Sequence, residues 1–217
     1  MRYQRDRKEL QTQTMQSELK FLKSQINPHF LFNTLNSLSA LVLTGKTETA
    51  EKMIHMISTF YRRSLADDPT SDVPLRDEIA LQRLYLDIET VRFPMRLVAN
   101  YDIPAALEDA LIPGMILQPL VENSVKHAVA PSNGQVVITL SAREEYGRLV
   151  VSVSDNGTSS VDRDDVRPGF GIGLNNVNER LEARFGNEAT VASGHSPEGY
   201  VTHLRLPLLR IKEAAAA

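Results

Sequence analysis

The chain has 217 residues, 42% hydrophobic and 24% charged, with a formal net charge of -3 and no cysteine. That allows one large domain or two small ones with a core of ordinary size. It excludes thiol nucleophiles, thiolate metal sites and disulfide frameworks, and it argues against a protein that coats nucleic acid directly. No apolar run approaches the roughly 18 residues a membrane span needs, and the lack of cysteine fits a reducing cytoplasm. Arg2, Arg5, Arg7 and Lys8 follow Met1 with no hydrophobic stretch after them, so this is not a secretory signal. Such a start suits a solvated helix, or a juxtamembrane segment tethered to the inner membrane through a span absent from this chain.

In chain order, residues 5–43 have a helical pattern. Met15, Leu19, Leu22 and Ile26 step by four, three and four, as in a coiled-coil seam, and so do Leu31, Leu35, Leu38 and Val42. Pro28 lies between the two runs and predicts a kink. Thr44-Gly45-Lys46-Thr47 stops this helix, with Thr47 placed to cap a second one over 48–65. There Met53, Ile57, Phe60 and Ser64 share a face, with Ile54, Tyr61 and Leu65 beside it. Two amphipathic helices on a short turn cannot bury both faces alone, so a homodimer forming a four-helix bundle is the natural solution. The polar, proline-bearing stretch 66–74 marks a boundary, giving residues 1–71, 72–210 and a tail over 211–217. Beyond it, helices are expected at 75–93, 114–128 and 174–185. Strands are expected at 97–103, 136–142, 149–154, 190–192 and 200–206, making an α+β sandwich.

Three clusters carry chemistry. The first is Asn27-Pro28-His29-Phe30-Leu31-Phe32-Asn33. A neutral, exposed imidazole at His29 could attack a γ-phosphate, and Asn33, one helical turn on, could hold a ring nitrogen. The second is Leu117 to His127. Here Glu122, Asn123, Lys126 and His127 project from the flank of a helix whose leucines and valines pack on a sheet. A carboxamide can ligate Mg²⁺ and an ammonium can meet phosphates. The third joins Asp155-Asn156-Gly157, at a strand end, to Gly169-Phe170-Gly171-Ile172-Gly173-Leu174. The Asp155 carboxylate could accept from an adenine amino group, and Gly157 would let the backbone approach the base. Glycine-rich backbone leading into a helix N-terminus is a phosphate cradle. Each cluster alone is a weak signal; their order is specific. The glycine spacing matches neither the Rossmann fingerprint nor the P-loop.

On these residues the chain resembles the sensor histidine kinases of the LytS type. The resemblance lies at Gln25 to Asn36, at Leu117 to His127, at Asp155-Asn156-Gly157, and at Gly171 to Val177 with Glu179-Arg180-Leu181, and covers about residues 16–208. It implies a dimerising helical hairpin followed by a Bergerat-type ATP-binding sandwich of the GHKL class. It makes His29 the phosphorylated residue, Asn123 the Mg²⁺ ligand and Glu122 an acidic partner. Lys126 and His127 would face phosphates, Asp155 would hold adenine, and Gly157, Gly171, Gly173 and Leu174 would shape the pocket and lid. The implied cofactors are ATP and Mg²⁺. The implied partners are a second copy, a response regulator of the LytTR kind and an upstream sensor domain not present in this chain. Two features depart from wider patterns. Phe30 follows His29 where most histidine kinases place an acid, which leaves Asn33 or Glu122 for the acid/base role. Thr158-Ser159-Ser160 follows Gly157 where many relatives place a glycine, and the polar stretch 158–168 is expected to be a mobile lid. The competing readings are a GHKL-type ATPase that is not a kinase, and a dimeric scaffold that binds nucleotide without turnover.

Overall fold

The computed structural model describes residues 27–66, 71–157 and 170–211. They form two compact units, divided after Ala66. The expected seam at Met15 to Ile26 and the expected lid lie outside the described residues, as does the end of the tail.

The first unit is a hairpin of α1 (Pro28–Leu43) and α2 (Thr47–Ala66). At Pro28 the described chain opens a helix and does not bend one. Asn27 is extended (φ -66°, ψ 102°), its Oδ1 accepts the Phe30 N–H at 3.2 Å, and Pro28 occupies the first helical turn. A proline there loses no intrahelical bond, and asparagine before it is a helix cap. The other end closes on Gly45, at φ 72°, with the Lys46 N–H on the Leu41 carbonyl. That left-handed residue is the usual helix stop. Thr47 already belongs to α2, so the expected cap is displaced to Lys46, whose carbonyl accepts from Ala50.

Phe30 and Thr34 are buried on α1, and Ala50, Met53, Phe60 and Ser64 on α2. The Phe30 ring meets Phe60 edge-on at 5.4 Å and Tyr61 at 6.3 Å. The apolar run Leu31, Leu35, Leu38 and Val42 is half-buried or exposed within the single chain. With Phe32, Leu43, Ile54 and Leu65 it leaves large apolar side chains open to solvent. An isolated soluble hairpin has no reason to present them together.

The second unit opens with β1 (Asp72–Pro74), inside the stretch expected to be a linker. It pairs antiparallel with β3 (Leu111–Pro113) in a two-stranded sheet. Between them run α3 (Leu75–Arg92) and β2 (Leu97–Asp102). Then come α4 (Gln118–Ser124), β4 (Val136–Glu145), β5 (Arg148–Asp155), α5 (Phe170–Phe185), β6 (Thr190–Ser196) and β7 (Gly199–Pro207). The larger sheet has the order β2-β4-β5-β7-β6; β2 and β4 are parallel and the other neighbours antiparallel. Ile138, Leu140, Ala142, Val151, Val153, Thr202, Leu204 and Leu206 are all buried, while Thr139, Ser141 and Arg205 are not. In β4 and β7 that period of two puts the core on one face of the sheet, while the central strand β5 is buried throughout Leu149 to Val153. The α+β sandwich and helical hairpin read from the sequence are thus the observed architecture.

Candidate functional site: a glycine-bearing helix junction and an exposed histidine

On the hairpin, His29 is exposed in the first turn of α1. The Asn33 amide nitrogen lies 3.2 Å from its Nδ1 and 3.1 Å from its Nε2, so it sits over the ring and not at one edge. The ring-nitrogen lone pairs lie in the ring plane, so this is a contact with the face of the imidazole, and the side chain stays exposed. Buried Thr34, bonded to the carbonyls of Phe30 and Leu31 at 2.9 and 2.8 Å, anchors the turn beneath.

The remaining candidates belong to the second unit. α4 begins at Gln118, not near 114, and after Ser124 it widens into a π-helical segment, Val125–Val129, with the Ala130 N–H on the Val125 carbonyl at 2.9 Å. Such π segments re-aim side chains and are frequent at functional sites. Lys126 and His127 stand in it, the first exposed and the second half-buried. Arg96 closes the far end, donating to the carbonyls of Val129 at 2.6 Å and Ala130 at 3.0 Å. Glu122 accepts from Gln118 at 3.0 Å. Close by, the carboxyl of Glu89 is pushed up by burial and, less, by the charge of Glu122, against the opposing pull of Arg92, which bonds it at 2.5 and 2.6 Å.

Asp155 ends β5, buried on the core face. Burial raises its pKa, opposed by hydrogen bonds from the Ser124 side chain and from the Gly157 N–H at 3.2 Å. It pairs across the sheet with Ile138 on one side and Tyr200 on the other. Asn156 continues the ladder, its Oδ1 accepting from the Val137 N–H at 2.7 Å. The Gly157 backbone lies against the π segment: an added Cβ would collide with the Ala128 Cβ and stand 2.9 Å from its Cα. Glycine is therefore required where β5 meets α4.

Gly171 and Gly173 fall inside α5, which begins at Phe170 and not after the glycines. The first turn of a helix still presents unpaired N–H groups, so the anion-binding logic survives the shift in boundary. A Cβ at Gly173 would lie 3.6 Å from the Asn123 Nδ2, which places the start of α5 beside that carboxamide. Leu174 follows, half-buried. The second unit thus brings Asn123, Ser124, Asp155, Gly157 and Gly173 around the junction of α4, β5 and α5. His29 and Asn33 belong to the other unit. An oxygen-donor carboxamide at the start of a glycine-bearing helix suits a hard cation shared with phosphates. A buried carboxylate beside a glycine contact suits a base edge.

The sequence reading did not single out Ser124, Gln118 or buried Glu78. The Glu78 carboxylate accepts the N–H groups of Met115 at 2.7 Å and Leu117 at 3.0 Å, and Gln82 donates to it at 3.2 Å. Burial raises it to about 7 despite these bonds.

Comparison with known proteins agrees with this layout. Residues 17–97 match the family model "Histidine kinase", and residues 108–210 match "Histidine kinase-, DNA gyrase B-, and HSP90-like ATPase". The two matches in this order make the chain a histidine kinase core with an ATPase-type catalytic domain. More narrowly, it belongs with the sensor histidine kinases of the LytS type. It is 38% identical over 193 residues to the sensor histidine kinase BtsS of Escherichia coli (strain K12), covering 88% of this chain and 34% of that one. It is 32% identical over 218 residues to the sensor protein LytS of Bacillus subtilis (strain 168), covering 94% and 36%. The chain therefore spans about a third of the length of the curated relatives it matches. Among solved structures, the catalytic domain of histidine kinase ThkA overlays with a TM-score of 0.50 at 15% identity, covering 64% of this chain and 95% of that one, a likeness of fold. Among the described residues no helix is long and apolar enough to cross a membrane.

Proposed function

We propose that the chain is the dimeric catalytic core of a two-component sensor kinase that phosphorylates itself on His29 and passes the phosphoryl group to an aspartate of a response regulator. Residues 1–71 serve as the dimerisation and phosphotransfer hairpin and 72–210 as the catalytic domain. The observation that carries this reading is an exposed, amide-contacted histidine on an incompletely buried hairpin, in the same chain as an ATPase-type pocket. A ring nitrogen of His29 attacks the γ-phosphorus. The bond from that phosphorus to the β–γ bridging oxygen breaks, ADP leaves, and the ring proton passes to a nearby base. Glu122 is the candidate for that base, and Asn33, whose carboxamide takes up no proton near neutral pH, is the candidate for positioning the ring.

In the pocket, Asp155 accepts from the adenine amino group and Gly157 lets the backbone reach the base. Lys126, His127 and the N–H groups at Gly171, Gly173 and Leu174 face the phosphates. Asn123 would hold Mg²⁺, which would neutralise charge on the phosphate oxygens. The regulator is of the LytTR kind, and the whole protein is tethered to the membrane by sequence upstream of this chain, with the catalytic core in the cytoplasm.

Titration calorimetry with ATP and ADP, with and without Mg²⁺, tests the pocket. Asn123→Ala should remove the Mg²⁺-dependent part of ATP binding. Asp155→Ala should weaken ATP and ADP alike, by roughly tenfold or more, as expected when a charged acceptor is lost. Unchanged ATP affinity in both variants would end the nucleotide-pocket reading.

A further inference from the structure

Met115 is one of few non-glycine residues here with a left-handed backbone, at φ 56°. That conformation costs free energy and persists only where neighbours enforce it. It sits in the turn Pro113–Leu117 that launches α4, and two side chains from distant helices grip that turn from opposite polarities. From α3, the carboxylate of Glu78, 2% exposed, accepts the N–H groups of Met115 and Leu117 at 2.7 and 3.0 Å. From α5, Arg180 donates to the Gly114 carbonyl at 2.7 Å and reaches the Met115 carbonyl at 3.5 Å. The two charges also attract one another through the turn. Arg180 lies two helical turns beyond Gly173, on the same side of α5, and Gly173 is the point where α5 meets Asn123.

Resting on the pocket assignment above, we propose that Arg180 is a positioning residue. By fastening α5 to the turn that starts α4, it sets the separation between the glycine-bearing helix N-terminus and Asn123, and so tunes recognition of the metal-bound phosphates and not of the base. The base end rests on different supports, since Asp155 and Gly157 are held by β5, Ser124 and Ala128. Neutralising Arg180 leaves the two carbonyls without their donor and Glu78 without its counter-charge. The α5 end of the phosphate site then loses its fixed distance from Asn123.

The test is a split in ligand affinity, read on the full chain. MgATP is titrated by calorimetry and adenosine by NMR. Arg180→Met should weaken MgATP by roughly ten- to a hundredfold, the scale of losing hydrogen bonds to a charged donor, with adenosine changed by less than about threefold. Arg180→Lys keeps a charge near Glu78 but cannot span both carbonyls, so it should fold normally and show the same split with a smaller MgATP loss. If Arg180→Met does not fold, the lysine variant decides. Equal losses of MgATP and adenosine would mean a general structural role and would overturn the proposal. So would MgATP affinity within about twofold of wild type in a folded variant. Wild-type chain that binds neither ligand would instead refute the pocket assignment itself.

Discussion

Replacing Leu31 and Leu35 together with aspartate is expected to convert the chain to monomers that no longer autophosphorylate. The hairpin buries Phe30, Thr34, Met53, Phe60 and Ser64 internally but leaves Leu35 at 48%, Phe32 at 66% and Val42 at 61% exposure. Each leucine side chain removed from water contributes about 1.5–3 kcal/mol, so a handful per protomer outweighs the cost of association at micromolar concentration. A second copy laying the same stripe against this one would form a four-helix bundle and satisfy both. Two carboxylates on each stripe would meet like charges across the two-fold axis in an apolar seam. Sedimentation velocity should show a dimer for the parent chain and a monomer for the variant, with ATP binding kept because the second unit has its own core. A parent chain that is monomeric across the micromolar range yet still autophosphorylates would defeat the four-helix account.

Gly157→Ala is expected to weaken ATP binding by about tenfold or more and to lower the melting temperature. The added methyl would meet the Cβ and Cα of Ala128, and the backbone atom cannot swing aside like the tip of a flexible chain. Overpacking of this kind costs roughly 1–3 kcal/mol, here at the contact that sets Asp155 against α4. Gly194→Ala is the matched control, since an added Cβ in β6 meets nothing within 4 Å. Equal ATP affinity in the two alanine variants would show that the tight junction of β5 and α4 does not shape the pocket.

Much of this was legible in the sequence. The strands at 97–102, 136–145, 148–155 and 199–207 alternate clearly enough to be found within a few residues. The chemical residues are also readable, because an aspartate and glycine at a strand end and a polar helix flank are local patterns. Other features were misread for physical reasons. Pro28 looked like a kink because apolar periodicity continued on both sides, yet Asn27 immediately before it caps the helix. Strand β1 offers one apolar residue, Val73, beside a proline, and exists because β3 pairs with it. The π segment has no sequence period of its own. The grip of Glu78 and Arg180 on the Met115 turn joins residues far apart in the chain, and no local pattern announces such a contact.

The most direct test of the central claim is incubation of the chain and of its His29→Gln variant with γ-labelled ATP and Mg²⁺, followed by acid and base treatment of the labelled protein. A phosphoryl group on an imidazole nitrogen is lost in acid and kept in base, the reverse of what an acyl phosphate on a carboxylate shows in base. The chain should take up acid-labile, base-stable label. His29→Gln should take up none, while its ATP affinity stays within a few-fold of the parent, because His29 lies in the hairpin and the pocket residues lie in the other unit. Label that persists in the variant, on His55 or on a serine, would contradict the account.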